Sequence, residues 1–258
     1  MSEAPRAPAE DTPAEPPRVA VRLPAAAPVA TYTLLSLTVL VYVLQLASVF
    51  LYGSPLGQLD WLELYGARIN SAIRLGELWR LITPVFLHAS PPHIFLNMYA
   101  LLALGSALER HFGHARFVAL YFLAGFSGNV LSFLLGDDRG YSVGASTAVF
   151  GLVAAQGVFL FQNRRIFGGQ VSRGLSNIIF IVAVNLLIGL SPGIDNWGHV
   201  GGLLGGLVFA SIAGPRLEVE GGYPDLRLVD TREFREVLVG GATVLLIFGS
   251  LAAWGMFS

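Results

Sequence analysis

The sequence predicts an all-α polytopic membrane protein of about seven transmembrane helices. Of its 258 residues, 54% are apolar and 13% are charged, against roughly a quarter charged in an ordinary soluble domain. The apolar residues gather into seven stretches, at about 31–52, 93–112, 115–136, 146–162, 175–191, 197–213 and 237–257. Each is long enough, or nearly so, to cross a bilayer as a helix. All 16 basic residues are arginine, and several cluster in the short connections.

Residues 1–29 are rich in proline and alanine and poor in large apolar side chains. They read as a disordered tail, because too little apolar surface is present to offset the entropy of ordering. The first apolar run begins near Ala30 and is long enough to span, so it is expected to remain as a first helix rather than act as a cleaved signal. The connection from Gly53 to Pro92 carries Trp61, Leu62, Leu64, Tyr65, Ile69, Ile73, Leu78, Trp79 and Leu81. That is too apolar for a solvated loop and predicts short amphipathic pieces in the membrane interface. At ~1.5 Å per residue the fourth and sixth runs reach only about 25 Å. Their ends should lie below the membrane surface under neighbouring protein, which implies a recessed, wettable cavity. Residues 214–236 are charged and read as a linker to the last helix, 237–258.

Arg110, Arg116, Arg164, Arg165 and Arg173 follow the second and fourth helices, and Asp137, Asp138, Arg139 and Asp195 follow the third and fifth. The positive-inside rule then places the N-terminus and the linker in the cytoplasm. Arg68, Arg74 and Arg80 in the first outer connection run against that count. A formal net charge of −1 offers no basic field for nucleic acid. Cysteine is absent, which removes disulfides, thiol nucleophiles and thiolate metal sites.

On this topology Ser146, in Gly144-Ala145-Ser146-Thr147, and His199, in Trp197-Gly198-His199-Val200-Gly201-Gly202, both open helices at similar depth below the outer surface. Taken alone, the serine reads as a helix cap and the histidine as an inter-helix hydrogen-bond partner. Together they offer more. A helix N-terminus presents unpaired N–H groups and a positive dipole end that can hold an oxyanion, and a neutral imidazole within reach can take the hydroxyl proton. His93 and Asn97 stand four apart on one face of the second helix and supply further oxyanion donors. Gly198, Gly202 and Gly206 clear one face of the sixth helix for close packing.

These residues resemble the rhomboid family of intramembrane serine proteases over roughly 31–258. The resemblance implies a nucleophile in a Gly-x-Ser-x motif, matched by Ser146 with Gly144 in support, and a base in a glycine-rich sixth helix, matched by His199. It further implies an oxyanion site of His93, Asn97 and the Ser146 N–H, and an aromatic ring stacked on the base, matched by Phe150. Trp79-Arg80 matches a pair in the first loop. Gly202 and Gly206 would pack the sixth helix against the fourth and so set the serine–histidine distance. Glu109 and Arg110 would join a stabilising polar network. The implied organisation is a six-helix catalytic core at 30–213 with one added C-terminal helix, in a bacterial inner membrane, opening to the outer side. Its substrates would be single-span membrane proteins, and no cofactor is expected.

Thr147 departs from the glycine that most members carry after the nucleophile. It keeps open a second reading, a catalytically inactive rhomboid-like factor that binds membrane proteins. A transporter would call for paired intramembrane charges or an inverted repeat, and neither is visible. His88 and His93 raise the question of a metal, yet no His-Glu-x-x-His motif occurs, so no metal is predicted. Asn129, Asn185 and Asn196 are expected to join inter-helix hydrogen bonds or to border the cavity. The Ser191-Pro192-Gly193 turn and the outer end of the fifth helix are candidate entrance elements. No carboxylate third member is evident, which leaves a serine–histidine dyad.

Overall fold

The computed structural model describes residues 26–55, 57, 59–222 and 225–257. The expected disordered tail lies outside these residues as far as position 25, but Ala26 to Val29 are placed. The Ala26 N–H donates to the Arg110 carbonyl at 3.0 Å, and helix α1 (Val29–Tyr52) has already begun at Val29.

After α1 the connection expected to face outward, termed the outer connection, folds into α2 (Trp61–Gly66), α3 (Asn70–Arg74) and two 3-10 turns at Leu78–Leu81 and Thr83–Phe86. Helix α2 starts on a capping box. Asp60 accepts from the Leu62 and Glu63 N–H groups at 2.7 and 2.9 Å, while Glu63 accepts from the Asp60 N–H at 3.1 Å. Ile73, Leu81, Val85 and Leu87 from this connection are buried, so it covers the bundle rather than trailing from it.

The second rod opens on Pro91-Pro92, where proline's missing N–H costs nothing. It runs as α4 (Pro91–Ala100), a π turn (Leu101–Gly105) and α5 (Ser106–Phe112), and stops at Gly113 with φ 73°. Next come α6 (His114–Leu135), α7 (Ser146–Gln162), the short α8 (Arg164–Phe167) and α9 (Gln170–Ile188). Helices α10 (Asn196–Ala213) and α11 (Phe234–Phe257) complete the chain. Four of these, α1, α6, α9 and α11, are long and apolar enough to cross a membrane by length and composition alone. The others fall short for local reasons: the π turn splits α4 from α5, α7 has 17 residues, and α10 opens on a polar first turn.

Helices α6, α7 and α10 form the centre and pack closely against one another. Lipid tails are as apolar as leucine, so close backbone approach rather than water exclusion must hold such helices together. Glycines provide it on two faces of α10. A Cβ at Gly202 or Gly206 would strike the α7 backbone at Thr147 or Gly151, and one at Gly201 or Gly205 would strike Ser127 on α6. The Gly198, Gly202 and Gly206 spacing marks the first of these faces; the second has no counterpart in it. Helix α9 is the outermost crossing; it rests on α7, and Val171 is its sole buried residue.

Strands β1 (Arg68–Ile69) and β2 (Tyr141–Ser142) pair antiparallel, which ties the first outer connection to the segment just before Ser146. The same region engages two of the three arginines that ran against the orientation count. Arg68 is buried and donates to Asn70 at 2.6 Å and to the Asp137 carbonyl at 3.3 Å; Arg74 pairs with Asp138 at 3.1 Å. At the opposite end, strands β3 (Leu217–Glu220) and β4 (Arg227–Asp230) form a hairpin. It is held by Arg116 on Asp230 and by Asn163, which accepts from the Leu217 N–H at 2.7 Å and donates to the Pro215 carbonyl at 2.9 Å.

Candidate active site

The segment before α7 is shaped so that Ser146 arrives with a free hydroxyl. Gly144 has φ 129°, and a Cβ there would meet His93 Nε2 at 2.7 Å, so backbone conformation and space both require glycine. Its N–H donates to the Pro84 carbonyl at 2.9 Å, which anchors the turn on the outer connection. Ala145 is the N-cap of α7 and offers no side-chain oxygen. Ser146 is therefore the first helical residue, not the cap that its position in the sequence also allowed. Its N–H has no preceding helical carbonyl to meet, the condition for an oxyanion donor.

His199 comes to this hydroxyl from α10, one turn in from the cap. Its Nε2 lies 3.0 Å from Ser146 Oγ. The ring stacks on Phe150, with centroids 4.2 Å apart and planes 10° from parallel. His199 is 8% exposed, and its Nδ1 is buried without a partner among the described residues. The nearest acid in the chain, Asp195, is engaged elsewhere. It caps α10 by accepting from the Gly198 N–H at 2.9 Å, and it accepts from Ser132 Oγ on α6. Gly202 and Gly206 lie where α10 crosses α7, so the helix contact and the serine–histidine distance are one geometric quantity.

Thr147, the departure noted in the sequence, is buried in the seam between α6, α7 and α10. Its methyl occupies space left by glycines: a Cβ would approach it to 2.8 Å at Gly128 and to 3.1 Å at Gly198. The β-branched side chain thus fills the helix interface and does not enter the space around Ser146 Oγ.

His93 reaches the site, as its approach to Gly144 shows. Asn97 is buried, but its amide donates to the carbonyl of His93 one turn back, at 3.0 Å. His88 stands edge-on to His93 with centroids 5.0 Å apart, and its Nε2 lies 3.4 Å from the Ala145 N–H. Gln45 fixes His88 by accepting from its backbone N–H at 3.0 Å, and it donates to Asp60 at 2.6 Å. A run of buried polar groups therefore leads from the α2 cap to the turn before the serine. Burial, then repulsion from His93, pushes the His88 imidazole down to about 3. Burial likewise pushes the Glu63 carboxyl up to about 7. No group of His, Asp and Glu spaced to hold a metal occurs among the described residues.

The remaining residues singled out in the sequence divide. Arg80 is buried and forks onto the Ala67 and Leu64 carbonyls at 2.8 Å each and onto Glu77 at 2.6 Å; Trp79 donates to the Tyr65 carbonyl at 2.9 Å. The pair holds the outer connection in shape. Glu109 is fully buried, accepting from the Ala30 and Thr31 N–H groups at 2.7 Å, from Thr31 Oγ1 at 2.6 Å and from His114 at 2.6 Å. That is a network, but the Arg110 side chain is exposed and contributes only its carbonyl. Asn129 bonds the Leu81 carbonyl at 3.0 Å, and Asn196 bonds Leu186 at the end of α9 at 3.2 Å. Asn185 bonds its own helix at Ile181 rather than a neighbour. Asp195 and Ser132 were missed. An aspartate three residues before a glycine at the head of an apolar run was a readable cap signal.

A family model described as "Rhomboid domain" matches residues 75–216. Among curated proteins, "Rhomboid protease GluP" of Bacillus subtilis (strain 168) is 40% identical over 156 residues, covering 60% of this chain and 30% of its own length. "RHOMBOID-like protein 6, mitochondrial" of Arabidopsis thaliana is 37% identical over 172 residues, 67% of this chain and 52% of that protein. "RHOMBOID-like protein 2" of the same plant is 32% identical over 202 residues, 77% of this chain and 61% of that protein. The chain thus spans between about a third and three fifths of the length of these relatives. The match extends from the first outer connection through α10 and includes Ser146 and His199, and on it the chain, an integral membrane protein, belongs to the rhomboid family.

Proposed function

We propose that the chain is an intramembrane serine endopeptidase that cleaves single-span membrane proteins near the outer face of the bilayer. The observation that carries this reading is the 3.0 Å approach of His199 Nε2 to Ser146 Oγ at the head of α7. In the proposed reaction His199 Nε2 accepts the hydroxyl proton as Ser146 Oγ bonds to the scissile carbonyl carbon. The carbonyl oxygen becomes an oxyanion held by the Ser146 N–H, the α7 dipole and His93. Asn97 joins by turning its amide from the His93 carbonyl toward the oxyanion. Collapse of the tetrahedral species breaks the C–N bond, and His199 returns its proton to the leaving amine. Water, deprotonated by His199, then hydrolyses the acyl ester and releases Ser146.

With Nε2 as acceptor the imidazole hydrogen sits on Nδ1, which has no acid bonded to it among the described residues, so the pair works as a dyad. Phe150 supplies the face that keeps the ring in plane. A peptide bond inside a membrane helix is shielded by its own hydrogen bonds, so substrates with helix-breaking or small residues near the outer face fit best. The Ser191-Pro192-Gly193 turn and the outer end of α9 are the proposed entrance. We place 1–29 as a cytoplasmic tail, 30–213 as the catalytic core, 214–236 as a cytoplasmic linker and 237–258 as an added helix, in a bacterial inner membrane. Reconstitution in liposomes with a single-span reporter tests this. Wild type is expected to cleave, and Ser146→Ala and His199→Ala to lose cleavage; equal cleavage by all three overturns the reading.

A further inference from the structure

The acid that a catalytic triad would place against the imidazole is present here, but it holds the helix instead. Asp195 is the N-cap of α10, and three contacts converge on it. Its carboxylate accepts from the Gly198 N–H at 2.9 Å and from Ser132 Oγ of α6, and its carbonyl accepts from the His199 N–H at 3.2 Å. Gly198 leaves the room: a Cβ there would meet the Asp195 carboxylate oxygen at 2.9 Å and its carbon at 3.0 Å. His199 Nδ1 meanwhile has no partner among the described residues. Nothing bonded to the far side of the ring sets its position; Phe150 holds its plane, and the backbone of the first α10 turn must set its rise and rotation.

We propose that Asp195, tethered by Ser132, is the positioning residue for the His199 base. It fixes the rise and rotation of the first α10 turn against α6, and through them the distance from Nε2 to Ser146. Its negative charge, one helical turn before His199, also favours the imidazolium that forms when the base takes the serine proton. Two other ionisable groups act on this turn, His93 from α4 on His199 and Arg68 from β1 on Asp195; both are cationic when charged, and Asp137 and Asp138 share Arg68 with Asp195.

This inference rests on the Ser146–His199 reading, and the test separates the two. Full-length protein in liposomes is assayed for cleavage of a single-span reporter across pH, for labelling by a fluorophosphonate and for melting temperature. Ser146→Ala and His199→Ala serve as references. Asp195→Ala is expected to lose roughly ten- to a hundredfold in kcat, the penalty of a base displaced by a fraction of an ångström to an ångström, with KM nearly unchanged. Asp195→Asn keeps a capping oxygen and is expected to recover much of that loss, while its acid limb moves down by about half a pH unit or more because the charge is gone. Ser132→Ala, which cuts only the tether, is expected to lower kcat and leave the acid limb in place. The proposal is overturned if Asp195→Asn shows the wild-type pH profile, or if the Asp195→Ala loss is no more than its loss of folded protein. If Ser146→Ala and His199→Ala cleave like wild type, the dyad itself fails and the positioning role falls with it.

Discussion

Replacing Gly202 with alanine sets a methyl group on the face of α10 that meets α7. The new Cβ would lie 2.9 Å from the Thr147 carbonyl carbon and 3.2 Å from Thr147 Cα, with the carbonyl oxygen nearer still. All three are backbone atoms of a helix, so no rotamer change relieves the clash, and α10 must move by on the order of 1 Å. That movement costs about 1–3 kcal/mol of stability. It also stretches the 3.0 Å contact between His199 and Ser146 to roughly 4 Å, beyond hydrogen-bond range. A misplacement of this size lowers turnover by about a hundredfold. Gly157→Ala is the control in α7 itself, because its Cβ would make only ordinary contacts, with the side chains of Ile178 at 3.8 Å and Leu175 at 4.0 Å. That change should hold or raise stability by up to about 1 kcal/mol, through helix propensity alone. Melting in detergent and reporter cleavage in liposomes read the two terms separately. A Gly202→Ala protein with wild-type turnover would refute the claim that this crossing sets the site geometry.

Glu109→Ala strands the Ala30 and Thr31 N–H groups in a buried setting and should cost about 2–5 kcal/mol, seen as a lowered melting temperature, with Glu109→Gln less damaging. Arg80→Lys removes the fork that serves two carbonyls and Glu77 at once. It should cost about 1–3 kcal/mol and loosen the outer connection, measured as faster protease nicking between Gly53 and Pro92. Two buried groups set opposite pH limits on stability. His88, held at about 3 in the fold, stays neutral while an unfolded histidine protonates near 6.5, so stability is lost as pH falls below about 6.5 toward 3. By pH 5 the loss from this residue is about 2 kcal/mol, and His88→Gln should flatten that limb. Glu63, held at about 7, contributes stability that is complete below about 4.5 and is lost as pH rises through about 7. Glu63→Gln should remove the decline between about pH 4.5 and 7 in equilibrium unfolding.

Helices and reacting groups were legible in the sequence because each has a local signature. The fourth helix runs over the expected 146–162, and the first, second and sixth begin within two residues of expectation. Ser146 and His199 stood out because a hydroxyl and an imidazole at the heads of apolar runs need a reason to be there. Long-range pairing was not legible. The β1–β2 ribbon is two residues long on each strand and leaves no periodicity to read, yet it joins Arg68 to the segment before the serine. Gly201 and Gly205 are adjacent in sequence to Gly202 and Gly206; only the structure shows that the first pair faces α6 and the second α7. Asparagine is only partly legible for a related reason. Its amide can satisfy itself on its own helix, as Asn97 and Asn185 do, and composition does not say which choice it makes. The α2 cap, Asp60 with Glu63 three residues on, did carry a local signature. The apolar residues around it drew attention to the interface instead.

Covalent trapping tests the central claim most directly. A fluorophosphonate reacts with a serine hydroxyl only where a base removes its proton, so intact-mass and peptide mapping of the full-length protein in liposomes report on the pair itself. The adduct is predicted on Ser146 and absent in Ser146→Ala. In His199→Ala its rate of formation should fall by at least about 10³-fold. Labelling that proceeds at the wild-type rate without the imidazole, or that maps to another residue, would contradict the account.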